Sequence, residues 1–223
     1  SEKTAYNLFI IFNVTGVIIG FYLSNYVGRS AFFSIFVIIS ALLYVYASYL
    51  KQMLIIGNVV ISLLVALSLV VVGIFELLPG ITSLNQQTQL TFFKIIFDYA
   101  VFAFIINLLR EITKDIEDID GDYKAGMNTL PIVIGRERAA RILFVLSFIP
   151  LFIIGYYVIN SLYKNQLAVF YFLILIIGPL TYTSIKLFNA TTKKEFQHIS
   201  NAYKLIMLFG MFSLLLYLFL LKK

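Results

Sequence analysis

The residues of this chain that could do chemistry are concentrated in one polar segment of an otherwise apolar sequence. The segment from Arg110 to Pro131 reads REITKDIEDIDGDYKAGMNTLP. It contains six of the chain's eleven acidic residues, which are Glu111, Asp115, Glu117, Asp118, Asp120 and Asp122. Carboxylates this close together repel one another and are costly at the edge of a membrane. A divalent cation that carries a phosphorylated ligand would explain them, because Mg²⁺ binds one or two carboxylates together with phosphate oxygens and water.

The spacing of these acids predicts that most of them share one face of a helix. We assume that the helix of an apolar stretch at 92–113 continues beyond the membrane surface. A rotation of about 100° per residue then places a polar stripe on one face. The stripe consists of Asn107, Glu111, Lys114, Asp115, Asp118 and Asp122. We expect Gly121 to end or loosen this helix.

Basic side chains accompany the acids and suggest a diphosphate ligand. Lys114, Lys124 and Arg110 stand beside the carboxylates and could hold phosphate oxygens. Acids for a cation and bases for phosphate together predict a Mg²⁺–diphosphate site. The alternative is a charged loop that is merely solvated. A calcium-binding helix–loop–helix motif fails on spacing, because Gly121 as the loop glycine would require a ligand at Ile116.

A second polar constellation lies near residue 50. The sequence YVYASYLK ends at Lys51, and Gly57 and Asn58 follow shortly after it. We expect Lys51 to contact phosphate, with Tyr46 on the same helix face, although a lysine at a helix end can also serve as a membrane anchor. Asn58 opens the next apolar stretch and is expected to face the bundle interior.

Composition indicates what kind of scaffold must position these residues. Of the 223 residues, 61% are hydrophobic and only 13% are charged, whereas soluble domains rarely exceed about half apolar residues. A helix needs roughly 20 apolar residues to cross the hydrocarbon core of a bilayer. Seven stretches qualify, at about 5–27, 31–50, 54–78, 92–113, 138–160, 166–188 and 203–221. They lack the alternation of barrel strands, so we predict an all-α, polytopic membrane bundle of about seven transmembrane helices.

The distribution of basic residues predicts the orientation of this bundle. Seven spans place Lys51 and the regions 110–141 and 186–204 on the same side as the N-terminus, with twelve Lys and Arg residues against five on the other side. The positive-inside rule therefore places the acidic segment in the cytoplasm. We expect an integral protein of the plasma (inner) membrane that contacts membrane lipids and no nucleic acid, because the net charge of +6 lies in the loops. The absence of cysteine excludes disulfides and thiol chemistry.

The two constellations together resemble the UbiA superfamily of intramembrane prenyltransferases. YASYLK at Tyr46–Lys51, followed by IGN at Ile56–Asn58, looks like the tyrosine–lysine motif of that family. REITKDIEDIDGD at Arg110–Asp122, followed by GMNTLPIVIG at Gly126–Gly135, looks like its second aspartate-rich motif. The resemblance covers essentially the whole chain.

This resemblance implies an all-helical enzyme that binds Mg²⁺ and a polyprenyl diphosphate, ionises the donor and transfers the prenyl group to an acceptor. The motif match implies three metal-binding residues, Asp115, Asp118 and Asp122. It implies a diphosphate-binding set of Lys51, Arg110, Lys114, Lys124 and Asn58. The catalytic residues would be Asp118, Asp122, Tyr46 and Lys51.

The chain also departs from the family pattern. The first aspartate-rich motif of the family is missing, and SEKTA at Ser1–Ala5 resembles the segment immediately after it. We therefore expect residues 1–223 to form a single UbiA-like domain that lacks the first two of nine helices. We also expect this chain alone to be inactive and a longer parent to be active. Asn128 stands where many family members carry a lysine before TLP.

The acceptor is left open by the sequence. The acidic motif looks most like that of family members that alkylate a glycerol phosphate headgroup in lipid biosynthesis, and aromatic acceptors of quinone biosynthesis remain alternatives. Outside this family, the competing functions are a cation transporter and a non-catalytic membrane protein. A transporter would need ionisable groups near the middle of the membrane, whereas here they cluster at one surface.

Overall fold

The structure, a computed structural model, describes residues 2–217, with side chains from Lys3 onward. The prediction of an all-α fold is confirmed, because the described residues form helices and no strands. The helices are α1 (Glu2–Tyr26), α2 (Phe33–Ser48), α3 (Ile56–Leu77), α4 (Gln86–Glu117), α5 (Ile119–Lys124), α6 (Leu130–Ile134), α7 (Arg136–Leu146), α8 (Phe148–Tyr157), α9 (Gln166–Phe172), α10 (Gly178–Asn189) and α11 (Lys193–Phe212). Short 3₁₀ or π-helical segments extend or connect them at Ser30–Phe32, Leu50–Gln52, Leu78–Gly80, Val158–Leu162, Leu173–Ile177 and Ser213–Leu216.

Within residues 2–217, seven helical segments are long and apolar enough to cross a membrane, as predicted. Helices α1 to α4 supply the first four. The fifth combines α7 with α8, the sixth combines α9 with α10, and α11 forms the seventh. The chain is therefore an integral, polytopic membrane protein.

Two helices extend beyond the predicted boundaries of their spans. Helix α4 contains 32 residues and is about 48 Å long at 1.5 Å per residue. It is therefore longer than the hydrocarbon core of about 30 Å, and it continues past the predicted end at residue 113. The predicted start of the last span at residue 203 was wrong, because α11 begins at Lys193. The predicted end of that span, from residue 218 onward, lies outside the described residues.

The early start of α11 has a local cause. The Thr192 side chain accepts a hydrogen bond from the Glu195 backbone N–H. The Glu195 carboxylate in turn accepts from the Thr192 backbone N–H at 2.8 Å. This reciprocal capping box satisfies backbone donors that otherwise lack partners at a helix start. It therefore fixes the beginning of the helix in a polar stretch that hydropathy alone treats as a loop.

Helix α4 is the central element of the bundle and packs most extensively against α3 and α11. Its fully buried residues Ile106 and Ile116 belong to a core that also contains Phe196 and Tyr203 of α11. By contrast, α1 and α2 form a peripheral pair, and no residue of α2 is buried. The acidic stripe therefore emerges from the most firmly packed helix, which fixes the position of its side chains.

Candidate functional site

One pocket at the end of α4 collects most of the residues that the sequence singles out. The pocket has a volume of about 100 Å³, which is room for several water molecules. Its four acidic lining residues are Glu111, Asp115, Asp118 and Asp122. Its other lining residues are Lys51, Lys114, Tyr46, Asn58, Met127 and Thr129. Residues more than 50 positions apart in sequence thus face one small volume.

The acidic stripe reaches this pocket through a break in the helix. The prediction that Gly121 ends or loosens the helix was wrong about the position of the break, because α4 ends at Glu117 and Gly121 lies inside α5. Asp118 occupies the junction with φ −101° and ψ 14°, outside regular helical geometry. Aspartate is a poor helix former, and repulsion from neighbouring carboxylates weakens a continuous helix further. After the break, the Asp122 backbone N–H still donates to the Asp118 carbonyl at 3.0 Å.

Asp115 is oriented by a buried amide from the neighbouring helix α3. Asn58 Nδ2 donates to Asp115 Oδ2 at 2.7 Å. Two further contacts continue this polar network into the bundle: Ser62 Oγ donates to the Asn58 carbonyl at 2.6 Å, and Asn107 Nδ2 donates to Ser62 Oγ at 3.1 Å. Asn58, Ser62 and Asn107 are buried, so each hydrogen bond replaces water that these groups cannot reach.

Two other acids of the segment form ion pairs with distant basic residues. Lys193 Nζ donates to Asp118 Oδ1 at 2.8 Å, which joins the start of α11 to the end of α4. Arg136, at the start of α7, contacts the exposed carboxylate of Asp120 at 3.4 Å. The Lys193 and Asp118 side chains are 60% and 51% exposed, so their attraction is weak and screened by salt.

The two sequence motifs meet through backbone hydrogen bonds. The Asn128 N–H donates to the Gln52 carbonyl at 2.9 Å, and the Leu130 N–H donates to the Leu54 carbonyl at 3.1 Å. Residues 50–54 and 127–130 therefore run side by side as the loop pair of the pocket. This pairing places Lys51 on one loop and Thr129 on the other, both at the pocket wall.

The charge on Asp122 is only partly compensated by its surroundings. Burial raises the pKa of the Asp122 carboxyl above its ordinary value, and the nearby charge of Asp118 raises the pKa further. Lys51, Lys114 and the Thr129 hydroxyl act in the opposite direction but do not reverse the shift. The cause is physical: the ionised carboxylate has lost some water and faces a second negative charge.

Two of the predicted diphosphate-binding residues lie away from the pocket lining. Arg110 bonds to Glu111 through Nη1 at 2.5 Å, and Lys124 is exposed at the end of α5. Neither lines the pocket. The predicted residues Lys51, Lys114, Tyr46 and Asn58 do line it, although Asn58 directs its amide at Asp115.

Sequence reasoning assigned no role to several residues that the structure places at the site. Thr129 and Met127 line the pocket, and Lys193 contacts Asp118. The TLP motif that contains Thr129 was a usable signal. No sequence signal pointed to Lys193, because its approach to Asp118 depends on how α11 packs against α4.

The donor set of the pocket fits a hard divalent cation that arrives with a ligand. Its acids provide carboxylate oxygens, which Mg²⁺ prefers. In the described part of the chain, no three His, Cys, Asp or Glu side chains converge closely enough to hold a metal ion by themselves. Mg²⁺ usually takes one or two protein carboxylates and completes its shell with phosphate oxygens and water. The open arrangement of Asp115, Asp118 and Asp122 is compatible with this coordination preference.

The fold and the pocket together define a polytopic helical membrane protein with an acidic, lysine-flanked pocket at the end of its central helix. The UbiA prenyltransferase family model matches residues 1–206. The chain therefore belongs to the UbiA prenyltransferase family, as its motifs predicted. Membership of this family does not favour a cation transporter or a non-catalytic membrane protein.

Curated relatives support the same assignment. The chain is 29% identical over 216 residues to a digeranylgeranylglyceryl phosphate synthase of Methanosphaera stadtmanae, covering 95% of this chain and 70% of the relative. It is 31% identical over 179 residues to the protein of that name from Methanobrevibacter smithii, covering 78% and 58%. It is 43% identical over 102 residues to the one from Pyrococcus abyssi, covering 46% and 32%. The chain thus spans less than two thirds of the latter two relatives. No solved structure matches the chain significantly.

Proposed function

We propose that this protein transfers a prenyl group from a polyprenyl diphosphate to a glycerol-phosphate-type acceptor within the membrane. The observation that carries the proposal is the pocket in which the two family motifs meet. It joins carboxylates suited to a cation with lysines suited to phosphate. The family match and the names of the relatives support the reaction type.

The pocket residues divide by charge into two proposed roles. Asp115, Asp118 and Asp122 would hold Mg²⁺ together with the donor. Lys51 and Lys114 would contact diphosphate oxygens as compact positive charges. We expect Arg110 and Lys124 to act more weakly, since neither lines the pocket. Asn58 would act mainly by holding Asp115 in place.

The proposed reaction breaks the bond between the allylic carbon and the diphosphate oxygen. When bound, Mg²⁺ neutralises negative charge that develops on the leaving diphosphate. Lys51 and Lys114 add fixed positive charge on the same side, which favours departure of the diphosphate. An acceptor hydroxyl oxygen then forms the new carbon–oxygen bond, and its proton passes to the released diphosphate. Tyr46 lies at the pocket wall, where it would border the reacting carbon or the diphosphate.

The names of the relatives suggest the acceptor. A product with two geranylgeranyl groups on one glyceryl phosphate requires an acceptor that already carries the first group. We therefore propose a mono-prenylated glyceryl phosphate as acceptor, which is itself a membrane lipid. The excess of basic residues around the acidic segment supports a cytoplasmic location of the pocket in the plasma membrane.

A reconstituted assay tests the proposal. The protein in lipid vesicles would receive geranylgeranyl diphosphate, geranylgeranylglyceryl phosphate and Mg²⁺, and mass spectrometry would follow the di-prenylated product. We expect Mg²⁺-dependent formation of product and release of diphosphate. The assay compares the longest polypeptide that the gene encodes with the 223-residue chain. We predict that the 223-residue chain alone is inactive. Product formation that is unaffected by removal of divalent cations would contradict the proposed site.

Matched variants locate the chemistry. Asp118→Asn and Asp122→Asn are each expected to lower turnover at least about 100-fold, since each removes a carboxylate proposed to hold the Mg²⁺ that neutralises the leaving diphosphate. Asp120→Asn is the control, because Asp120 is 84% exposed, pairs with Arg136 and does not line the pocket. Its turnover should stay within a few-fold of wild type. Equal losses in all three variants would indicate a general effect of the acidic segment.

A further inference from the structure

Thr129 carries a buried hydroxyl group that lies near the Asp122 carboxylate but makes no hydrogen bond of standard geometry among the described residues. The residue is only 2% exposed and lies at the wall of the acidic pocket. Its Oγ1 atom is buried and has no hydrogen-bond partner of acceptable geometry among residues 2–217. Buried hydroxyls are nearly always hydrogen-bonded, because an unmade bond costs free energy. A hydroxyl without a well-formed hydrogen bond at a pocket wall therefore points to a partner that residues 3–217 do not supply in good geometry.

Helix capping does not account for this hydroxyl. Thr129 occupies the N-cap position of α6, where threonine commonly accepts a hydrogen bond from the backbone of the first turn. Here the side chain makes no such bond. The second residue of the helix is Pro131, which has no backbone N–H to donate. The Thr129 side chain therefore does not cap α6.

The backbone around Thr129 is held firmly in place beside Lys51. The residues on either side of Thr129 donate to the Gln52 and Leu54 carbonyls, forming the loop pair described above. Gln52 directly follows Lys51 in sequence. A hydroxyl donor and an ammonium group are thereby brought to the same pocket, whose other wall carries carboxylates. Two such donors facing a cation-binding wall are the chemistry that recognises a diphosphate.

We propose that the Thr129 hydroxyl donates a hydrogen bond to an oxygen of the diphosphate bound in this pocket. The inference rests on the proposed function, since it assumes a diphosphate ligand. Thr129 becomes a substrate-binding residue of the TLP motif, and its hydroxyl gains a hydrogen bond of standard geometry in the loaded state. The competing role is support of Asp122, because the hydroxyl lies close enough to that carboxylate to lower its pKa.

The test measures binding of inorganic pyrophosphate in the presence of Mg²⁺ by calorimetry, and of Mn²⁺ alone by electron paramagnetic resonance. Thr129→Val replaces the hydroxyl by a methyl group of similar size. We expect its pyrophosphate Kd to rise about tenfold or more, as for loss of a hydrogen bond to a charged group. We expect its Mn²⁺ affinity to be unchanged. Thr129→Ser keeps a hydroxyl and should bind pyrophosphate within about twofold of wild type.

Thermal stability separates a ligand-binding hydroxyl from a structural one. Loss of a structural hydroxyl would lower the melting temperature. Replacing an unsatisfied buried hydroxyl by an apolar group of the same shape is neutral or stabilising. The melting temperature of Thr129→Val without ligand should therefore equal or exceed that of wild type. The matched control is Thr113→Val, because the buried Thr113 hydroxyl already donates to the Leu109 carbonyl at 2.6 Å. This control should leave pyrophosphate binding unchanged.

Each contrary result has a distinct meaning. Wild-type pyrophosphate affinity in Thr129→Val would overturn this inference and leave the proposed function intact. Weaker Mn²⁺ binding in Thr129→Val, without pyrophosphate, would assign the hydroxyl to Asp122 instead and would also overturn it. If the wild-type protein bound no pyrophosphate in the presence of Mg²⁺, the proposed diphosphate site would itself fail, and this inference would fail with it.

Discussion

Replacing Gly57 by alanine should displace Lys51 without altering any side chain that lines the pocket. Gly57 lies in the first turn of α3, and the turn Leu50–Gln52 packs directly against it. A Cβ atom at residue 57 would lie 2.5 Å from the Leu50 carbonyl oxygen and 3.1 Å from the Lys51 Cα atom. Both neighbours are backbone atoms, so no side-chain rotation can relieve the contact.

The size of the displacement follows from these distances. Ordinary van der Waals contact begins at 3.4 Å, so the Cβ atom would be about 0.9 Å too close to the Leu50 carbonyl oxygen. Either the turn that carries Lys51 or the start of α3 must move by about that amount. A misplacement of about 1 Å can cost roughly 100-fold in rate. We therefore expect kcat/KM for the prenyl donor to fall by about 10- to 100-fold, with an increase in the donor KM because Lys51 is proposed to bind diphosphate.

Steady-state kinetics of diphosphate release, with donor concentration varied, would measure this effect beside a thermal melt. Gly16→Ala in α1 and Gly155→Ala in α8 are matched controls, because a Cβ atom at either position meets nothing within 4 Å. Alanine in a helix interior is more favourable than glycine by up to about 1 kcal/mol. The controls should keep wild-type kinetics and melt at an equal or higher temperature. A Gly57→Ala variant with wild-type kcat and donor KM would refute the packing of Lys51's turn against α3.

Three further substitutions test the electrostatics of the pocket. Asn58→Leu removes the charge-assisted hydrogen bond to Asp115 at 2.7 Å. Because such bonds contribute about 1.5–3 kcal/mol, we expect the apparent Mg²⁺ affinity to be about 10- to 100-fold weaker when diphosphate release is titrated with Mg²⁺. Lys193→Met breaks a largely exposed ion pair, so thermal melts should register a stability change below about 1 kcal/mol that disappears at high salt. Asp122→Asn should raise the melting temperature in cation-free buffer at neutral pH. Since the pKa of Asp122 is raised in the folded state, ionisation costs stability above that pKa, and the gain should vanish as the pH falls below the ordinary pKa of an aspartate. An Asp122→Asn variant that was less stable than wild type at neutral pH would contradict that sign.

The parts of the fold that depend on local pattern were predictable from sequence. Long apolar runs fix the number of membrane-crossing helices, because a helix must span a core of known thickness. The period of the helix also placed Glu111, Asp115, Asp118 and Asp122 on one face, and all four line the pocket. This outcome survived the unforeseen break at Asp118, since the short helix α5 turns Asp122 back toward the same volume.

The parts that depend on packing between distant elements were not predictable in this way. The pairing of residues 50–54 with 127–130 uses backbone groups only, and backbone hydrogen bonds leave no trace in side-chain pattern. Lys193 reaches Asp118 because α11 packs against α4, a contact between residues 75 positions apart. The start of α11 did have a local signal in Thr192 and Glu195, but hydropathy outweighed it because the first turns of that helix are polar.

Three acids of the pocket have a hydrogen-bond or ion-pair partner in the bundle. Glu111 is paired with Arg110 on its own helix, Asp115 with Asn58 of α3, and Asp118 with Lys193 of α11, each by a hydrogen bond or ion pair. These partners come from three parts of the bundle and keep several carboxylates folded in one small volume.

Asp122 makes no ion pair within 4.0 Å among the described residues. Among the described residues its negative charge is opposed by Lys51, Lys114 and the Thr129 hydroxyl, and the pKa of its carboxyl stays raised. A cation between Asp118 and Asp122 would turn their mutual repulsion into attraction to a shared positive charge. We therefore propose that a metal-bound diphosphate would be stabilised by Asp122 together with Asp118, on the two sides of the helix break.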